Sequence, residues 1–324
     1  MGGRLPILLL AAVVMAAPSV GAQTHSTRRH HAVAKKRSAR VRRPVDVNTV
    51  AIQVMLDRAG YSPGEIDGQM GTATKRALDA YENNGGNPNA LPPDALAKYQ
   101  ITAQDAAGPF APQIPPELMQ QAKLDALDYQ DLPEELGERF HASPTLLHRL
   151  NPGIAFAANA TITVPNVGTT PAPVGPPPGR QTDSGNPADT TVTVRKSTSD
   201  LVVTDAEGRT LFYAPVTTGS QHDPLPLGTW KVKGVQHNPA FHYNPKEFWD
   251  AKPGDAKATI APGPNNPVGV VWIDLNKPDY GIHGTPEPSL IGKTTSHGCV
   301  RMTNWDALTV ASLVRPGTRV VFSQ

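Results

Sequence analysis

The chain has almost no cysteine: Cys299 is the single thiol in 324 residues. One thiol excludes an internal disulfide framework, so folding does not rest on cross-links. Aromatic residues make up only 6%, while proline reaches 34 of 324, which points to linkers as well as cores. Beyond the N-terminal segment no run approaches the roughly 20 apolar residues that cross a bilayer. There is no Ser-x-x-Lys and no Lys-Thr-Gly, which excludes a serine acyltransferase built on those motifs.

What is present begins with "MGGRLPILLLAAVVMAAPSVGAQ": one charge at Arg4, an apolar run from Leu5 to Ala17, and small residues up to Ala22. That is the layout of a secretory signal peptide over 1–22, cut before Gln23. No cysteine lies near the cut to carry a thioether lipid anchor, so an exported protein, soluble in the periplasm or cell envelope, is expected. Residues 23–45 read as a basic disordered arm, with eight Lys/Arg and no acid between Thr24 and Arg43. Set those and Arg4 aside, and 21 basic residues face 28 acidic ones in 44–324, a net −7. The basic charge sits in a tail, so residues 24–43 point to an anionic envelope surface and not to nucleic acid.

Residues 46–100 form a first compact stretch. Val50, Val54 and Leu56 recur at helical spacing up to Gly60. "EIDGQMG" is a turn, and Thr72 caps a second helix bearing Ala77, Leu78 and Tyr81. In residues 117–167, Leu136, Phe140, Leu146, Leu147 and Leu150 suggest two short helices, and "TITVP" an alternating strand. Residues 168–189 are a Pro-rich linker. From 190 to 324 strand-like segments follow at 190–194, 200–205, 210–219, 228–235, 268–275 and 319–323, with one clear helix at 306–314.

Two of these stretches resemble known wall-binding modules. "GY…G.IDG.(F/M)G..T..A" is carried by Tyr61, Ile66-Asp67-Gly68, Gly71 and Thr74, and resembles the three-helix peptidoglycan-binding domain. It departs at Tyr81-Glu82, where the family has Phe-Gln. Residues 117–167 resemble a degenerate LysM module of βααβ plan, whose first strand is not apparent in the sequence. The resemblances imply binding of peptidoglycan and its glycan, with a plain structural spacer as the alternative for each.

The chemistry gathers in "YGIHGTPEPSLIGKTTSHGCVRM", Tyr280 to Met302. An unpaired thiol in an exported chain is intermolecular, inert or reactive. It becomes a useful nucleophile when a positioned base raises its thiolate fraction. His283 and His297 are the two candidates. His297 is one residue removed from Cys299 and can share its side of an extended strand. Gly298 would let a substrate approach the 297–299 amides, which then stabilise an oxyanion. Zinc on His283, His297 and Cys299, or a buried inert cysteine, are the other readings these residues leave open.

"HGT", then "SHGCVRM", with "PLPLGTW" (224–230) and "NPVGVVWIDL" (266–275) upstream, resembles the L,D-transpeptidase catalytic domain of the YkuD type over about 191–324. The resemblance implies a multidomain chain: a mainly-β catalytic domain, β-sandwich-like, at 190–324, preceded by a small three-helix domain and a small α+β LysM-like module. It implies a cysteine thioester formed with a tetrapeptide stem, release of D-Ala, and transfer to an amine such as diaminopimelate, giving 3-3 cross-links. L,D-carboxypeptidase action, lipoprotein attachment by the same site, or a non-catalytic wall-binding protein are the alternatives.

Carried over, Cys299 is the nucleophile and His283 its base. His297, Gly298, Ser296 and Arg301 support the loop and oxyanion. No metal and no other cofactor is implied. Gly284 stands where some members have serine, so the group orienting His283 is a backbone carbonyl or one the sequence does not show. The long segment 236–266 reads as a lid carrying Tyr243, Phe248 and Trp249, with a surface excursion as its alternative.

Overall fold

The computed structural model describes residues 44–168 and 189–324. The expected signal peptide, the basic arm up to residue 43 and the linker from 169 to 188 lie outside the described residues. Helix α1 (Val47–Ala59) starts where the Asp46 carboxylate accepts from the Asn48 and Thr49 amides. It ends at Gly60, whose φ of +85° suits a glycine. Helix α2 (Thr72–Asn83) is preceded by Gly71, which offers no side-chain cap; Thr72, expected to cap it, already lies in the first turn. The "IDGQMG" turn between them is knitted by Gln53. Its amide nitrogen donates to Asp67 Oδ1 and Thr74 Oγ1, and its oxygen accepts from the Gly68 amide.

A third helix was expected before residue 100. Instead residues Leu96–Gln100 form a strand, β1, because β2 (Thr161–Pro165) offers it a five-residue antiparallel partner. Between them run α3 (Ala103–Ala107), α4 (Leu118–Gln121), α5 (Leu132–Arg139) and α6 (Pro144–Leu150). No strand stands within 117–167 ahead of α5 and α6; the partner of β2 is β1, upstream of residue 117. Val50, Val54 and Ile66 from the first stretch share one core with Leu136, Phe140, Leu146, Leu147 and Ile162 from the second. Burying these side chains together, at roughly 1.5–3 kcal/mol each, ties the two stretches into one body.

The C-terminal part carries β3 (Thr191–Arg195), β4 (Asp200–Thr204), β5 (Thr210–Pro215), β6 (Gly228–His237), the hairpin of β7 (Phe241–Tyr243) and β8 (Ala258–Ile260), β9 (Val271–Leu275), β10 (Gly281–His283), β11 (Val300–Arg301), α7 (Asn304–Leu313) and β12 (Arg319–Ser323). Apart from the hairpin, its strands form one mixed sheet in the order β11-β10-β9-β6-β12-β3-β4-β5. A β-sandwich-like arrangement was expected; the strands make one continuous sheet that changes partners along β6. The first half of β6 pairs with β12, and from Val232 onward it pairs with β9 across an irregular register. Both halves and α7 bury one core, including Val194, Leu201, Ile273, Ile282, Val300 and Val310.

The helical part sits on the far sheet edge and on α7. The Ser62 amide donates to the Tyr213 carbonyl and the Tyr213 amide to the Gly60 carbonyl. Tyr61 and Tyr213 stack at 6.4 Å, and His141 stacks on Trp305 at 5.1 Å. The described residues, 44–168 and 189–324, fall in a single compact unit.

Candidate active site

β10 and β11 run parallel at the sheet edge opposite the helical part, with Ile282 beside Val300 and His283 beside Arg301. Side chains alternate along a strand, so the register partners His283 and Arg301 face one side of the sheet; Cys299 immediately precedes β11, two residues before Arg301. The thiol therefore sits at the entry to the strand that pairs with β10, where the Gly281 amide and the Arg301 charge both act on it. Gly281 fills the position beside Cys299. A Cβ there would lie 2.5 Å from the Trp272 ring, which instead stacks on His283 at 5.5 Å between centroids.

His283 is buried, and its Nδ1 lies 2.7 Å from the Gly284 carbonyl. A carbonyl only accepts, so Nδ1 carries the hydrogen and Nε2 is left to take a proton. The orienting group is therefore a backbone carbonyl. Gly284 must be glycine because a Cβ would lie 2.1 Å from Asn304 Oδ1. Burial, with the Arg301 charge second, holds the imidazole pKa down at about 3. Cys299 is half-buried and its thiol donates toward the Asp279 carbonyl at 3.7 Å. Burial pushes that thiol up to about 11, against the Gly281 amide and Arg301, which pull it down. At neutral pH the pair rests as thiol and neutral imidazole, where the sequence had suggested a thiolate.

The loop around the thiol is shaped by its motif residues. Ser296 Oγ donates to the Cys299 carbonyl at 2.5 Å, and the Ser296 backbone exchanges hydrogen bonds with Thr218 and Ser220. Gly298 has φ +104°, and a Cβ would come within 2.7 Å of the Tyr280 ring. Its surface, expected to open to substrate, is covered by that tyrosine. Arg301 exchanges both backbone hydrogen bonds with Thr217, which joins the loop to the chain after β5. Its Nε is buried with no hydrogen-bond partner, and burial lowers its pKa.

His297 turns toward the segment 236–266. Its Nε2 lies 2.8 Å from Asp250 Oδ1, and its ring packs on Phe248 at 4.9 Å and near Trp249 at 6.0 Å. Segment 236–266 therefore touches the thiol loop through Phe248, Trp249 and Asp250. Trp249 is exposed and stacks on His222 at 4.5 Å. Tyr243, expected to face a ligand, is buried, its hydroxyl donating to Asp255 Oδ2. It holds the hairpin together. Among the described residues no group of three or more His, Cys, Asp or Glu side chains converges as a metal site.

Tyr280, Trp272 and Asn304 belong to this site and were not singled out from the sequence. Two of them lie within five residues of His283 or Cys299, but nothing in the local pattern marks an aromatic as covering a glycine. A cleft of about 510 Å³ lies beside the hairpin, lined by His242, Asn244, Glu247, Lys257 and Asp279. Asp279 joins it to the thiol.

The YkuD family, described as the L,D-transpeptidase catalytic domain, matches residues 189–322. YqjB of Bacillus subtilis, named for L,D-transpeptidase activity, is 33% identical over 144 residues, covering 42% of this chain and 73% of that protein. YkuD of Bacillus licheniformis, named likewise, is 56% identical over 59 residues, 18% of this chain and 36% of that protein. The chain thus spans little more than a third of that relative's length. A solved L,D-transpeptidase from Mycobacterium smegmatis aligns at TM-score 0.35 and 16% identity, covering 42% of this chain and 59% of that one, a likeness too slight to bear on the fold.

Proposed function

The chain belongs to the YkuD family of L,D-transpeptidases, and from that premise we propose that it joins peptidoglycan stems through a thioester on Cys299. The observation that carries this is the register of β10 and β11, with the thiol at the entry to the strand paired with that of His283 and Nε2 the nitrogen able to accept a proton. Cys299 Sγ attacks the carbonyl of the third residue of a tetrapeptide stem while its proton passes to His283 Nε2. The C–N bond to D-alanine breaks, and that proton leaves on the amine. An acceptor amine, such as the side chain of diaminopimelate, then attacks the thioester and the thiol re-forms, which gives a 3-3 cross-link.

Because the resting pair is neutral, the charged pair forms only as the sulfur attacks. Arg301, a cation beside the sulfur, stabilises the developing negative charge or a substrate carboxylate. Ser296 holds the Cys299 carbonyl, and the β7–β8 hairpin serves as a lid whose Phe248 and Trp249 contact His297. The segment from β1 to β2 and the Gln53-knitted turn act as wall-binding elements on glycan and stem. The chain works outside the cytoplasm after removal of residues 1–22, its basic arm against an anionic envelope surface.

Purified full chain incubated with tetrapeptide muropeptides should yield D-alanine and a cross-linked dimer by mass, and Cys299→Ala should yield neither. The same variant should fail to gain the mass of a carbapenem. A drug adduct persisting on Cys299→Ala would sink the assignment of the nucleophile. Tripeptide in place of dimer would make water the acceptor, and attachment of a lipoprotein lysine would make that amine the acceptor.

A further inference from the structure

One of the side chains by which the helical part meets the β domain is Glu138. Glu138 on α5 is half-buried, and its Oε1 accepts a 2.6 Å hydrogen bond from Asn304 Nδ2 at the start of α7. Asn304 is fully buried and held on every side. The Val270 amide donates to its Oδ1 at 3.2 Å, so its nitrogen must face acceptors, which are Glu138 and the Pro264 carbonyl at 3.2 Å. The same Oδ1 lies against two glycines: a Cβ on Gly269 would sit 2.0 Å from it and one on Gly284 2.1 Å. Gly284 is the residue whose carbonyl fixes His283 Nδ1. Contacts therefore run without a break from Glu138 through Asn304 and Gly284 to the imidazole.

We propose that Glu138, which lies outside the β domain, is a positioning residue for His283, keeping the Gly284 carbonyl in place through Asn304. With no acceptor at 138, Asn304 keeps only the Pro264 carbonyl for its nitrogen, and a buried amide left half-satisfied seeks another arrangement. Gly284 has the backbone freedom to follow, since glycine tolerates most φ/ψ combinations. Its carbonyl then turns from Nδ1, and the ring is no longer confined to the tautomer that leaves Nε2 open. Loss of water around the Glu138 carboxyl, with Glu134 adding to the effect, pushes its pKa up to about 8. Asn304, Tyr129 and His141 oppose that shift. A protonated carboxyl still accepts at its carbonyl oxygen, so the link to Asn304 persists at neutral pH.

The kinetic side of this inference rests on the transpeptidase reading; the structural side does not. The test compares Glu138→Met, which keeps side-chain length and removes the acceptor, with Glu138→Gln, which keeps an acceptor, both in the full chain. Glu138→Met leaves the buried Asn304 nitrogen one acceptor short, a loss small enough against the stability of a folded chain that both variants should fold. Imidazole nitrogen NMR, with the His283 signals assigned by their loss in His283→Gln, should show the Nδ1–H tautomer in the unaltered chain and in Glu138→Gln. In Glu138→Met the signals should move toward a tautomer mixture, and the rate of carbapenem acylation should fall about tenfold or more, since small misplacements of reacting groups cost that much.

Asn304→Ala should reproduce both effects, with no further loss in the double variant. It stands in for Glu138→Met should the latter not fold. Unchanged ring signals and rate in Glu138→Met, or additive losses in the double variant, would overturn the coupling. Glu138→Gln behaving like Glu138→Met would overturn it too, by making the charge and not the acceptor the requirement. An unaltered chain that takes no acyl group on Cys299 would sink the transpeptidase reading, while the ring signals would still decide the role of Glu138.

Discussion

At Cys299 and His283 burial works on both partners in the same direction, toward the uncharged form. The thiol sits at about 11 and the imidazole at about 3, so between those values the free protein holds one protonation state. The pH dependence of kcat/KM reports the free enzyme, and it should be level from about pH 5 to 9. An inflection near 6.5, where an ordinary histidine titrates, would mean that the ring is protonated in the free enzyme and that its surroundings are wetter than the structure describes. Cys299 stood out because it is the single thiol, whereas the chain has ten histidines and only the family resemblance singled out His283 from His297. Gly284 and Gly298 were legible as glycines but not for their reasons. Asn304 at one and Tyr280 at the other come from across the fold and occupy the space a Cβ would need.

Among elements, the β7–β8 hairpin shows how little local sequence says about where a segment lands. Its aromatics were visible, but only packing sorts Tyr243 to the inside, Phe248 onto His297, and Trp249 to the surface. The tie from this hairpin to the thiol loop is the Asp250–His297 pair, both partners partly exposed. Exposed pairs contribute about 0–1 kcal/mol, so Asp250→Ala should leave Tm nearly unchanged. It should speed amide exchange across 241–260 and raise KM more than it lowers kcat. A variant exchanging at the original rate would show that Phe248 and Trp249 hold the hairpin without the carboxylate. β10 and β11, three and two residues long, escaped detection for a different reason. Alternation needs four or more residues to register, and these strands exist only because β9 and each other supply hydrogen bonds.

For the molecule as a whole, the junction between α1, α5 and α7 gathers Asp57, Glu138, His141 and Asp306. Burial pushes Asp306 from 3.8 to about 7 and Glu138 from 4.5 to about 8, while Asp57 raises His141 against its own burial. All three folded values lie above the unfolded ones, so the folded state holds protons that the unfolded state has released. Their stabilisation is complete below about pH 4 and is lost as pH climbs through 7 and 8. Asp105 opposes this at the acid end. Its hydrogen bonds to Tyr99, Thr102 and Arg139 hold it at about 2 against burial, so its contribution is lost as pH falls below 4. Tm should therefore peak in mildly acidic buffer and fall toward pH 9, and Asp306→Asn should flatten the fall. A Tm that rises from pH 6 to 9 would show the junction carboxyls to be ionised when folded.

The sequence alone determined the family of this protein: the spacing of one thiol, two histidines and the glycines around them marks it. It also determined most of the long elements, because α1, α7 and the five- to six-residue strands of the C-terminal sheet carry their periodicity within themselves, whereas β1 did not show. Tertiary structure decided that His283 lies beside Arg301, through a two-residue parallel register that no local pattern encodes, and that His297 turns to Asp250. It also decided that the two N-terminal stretches make one core, and that Glu138 meets Asn304 across 166 positions. Contacts of that kind depend on how whole faces fit when buried together, and one-dimensional spacing carries no record of the fit.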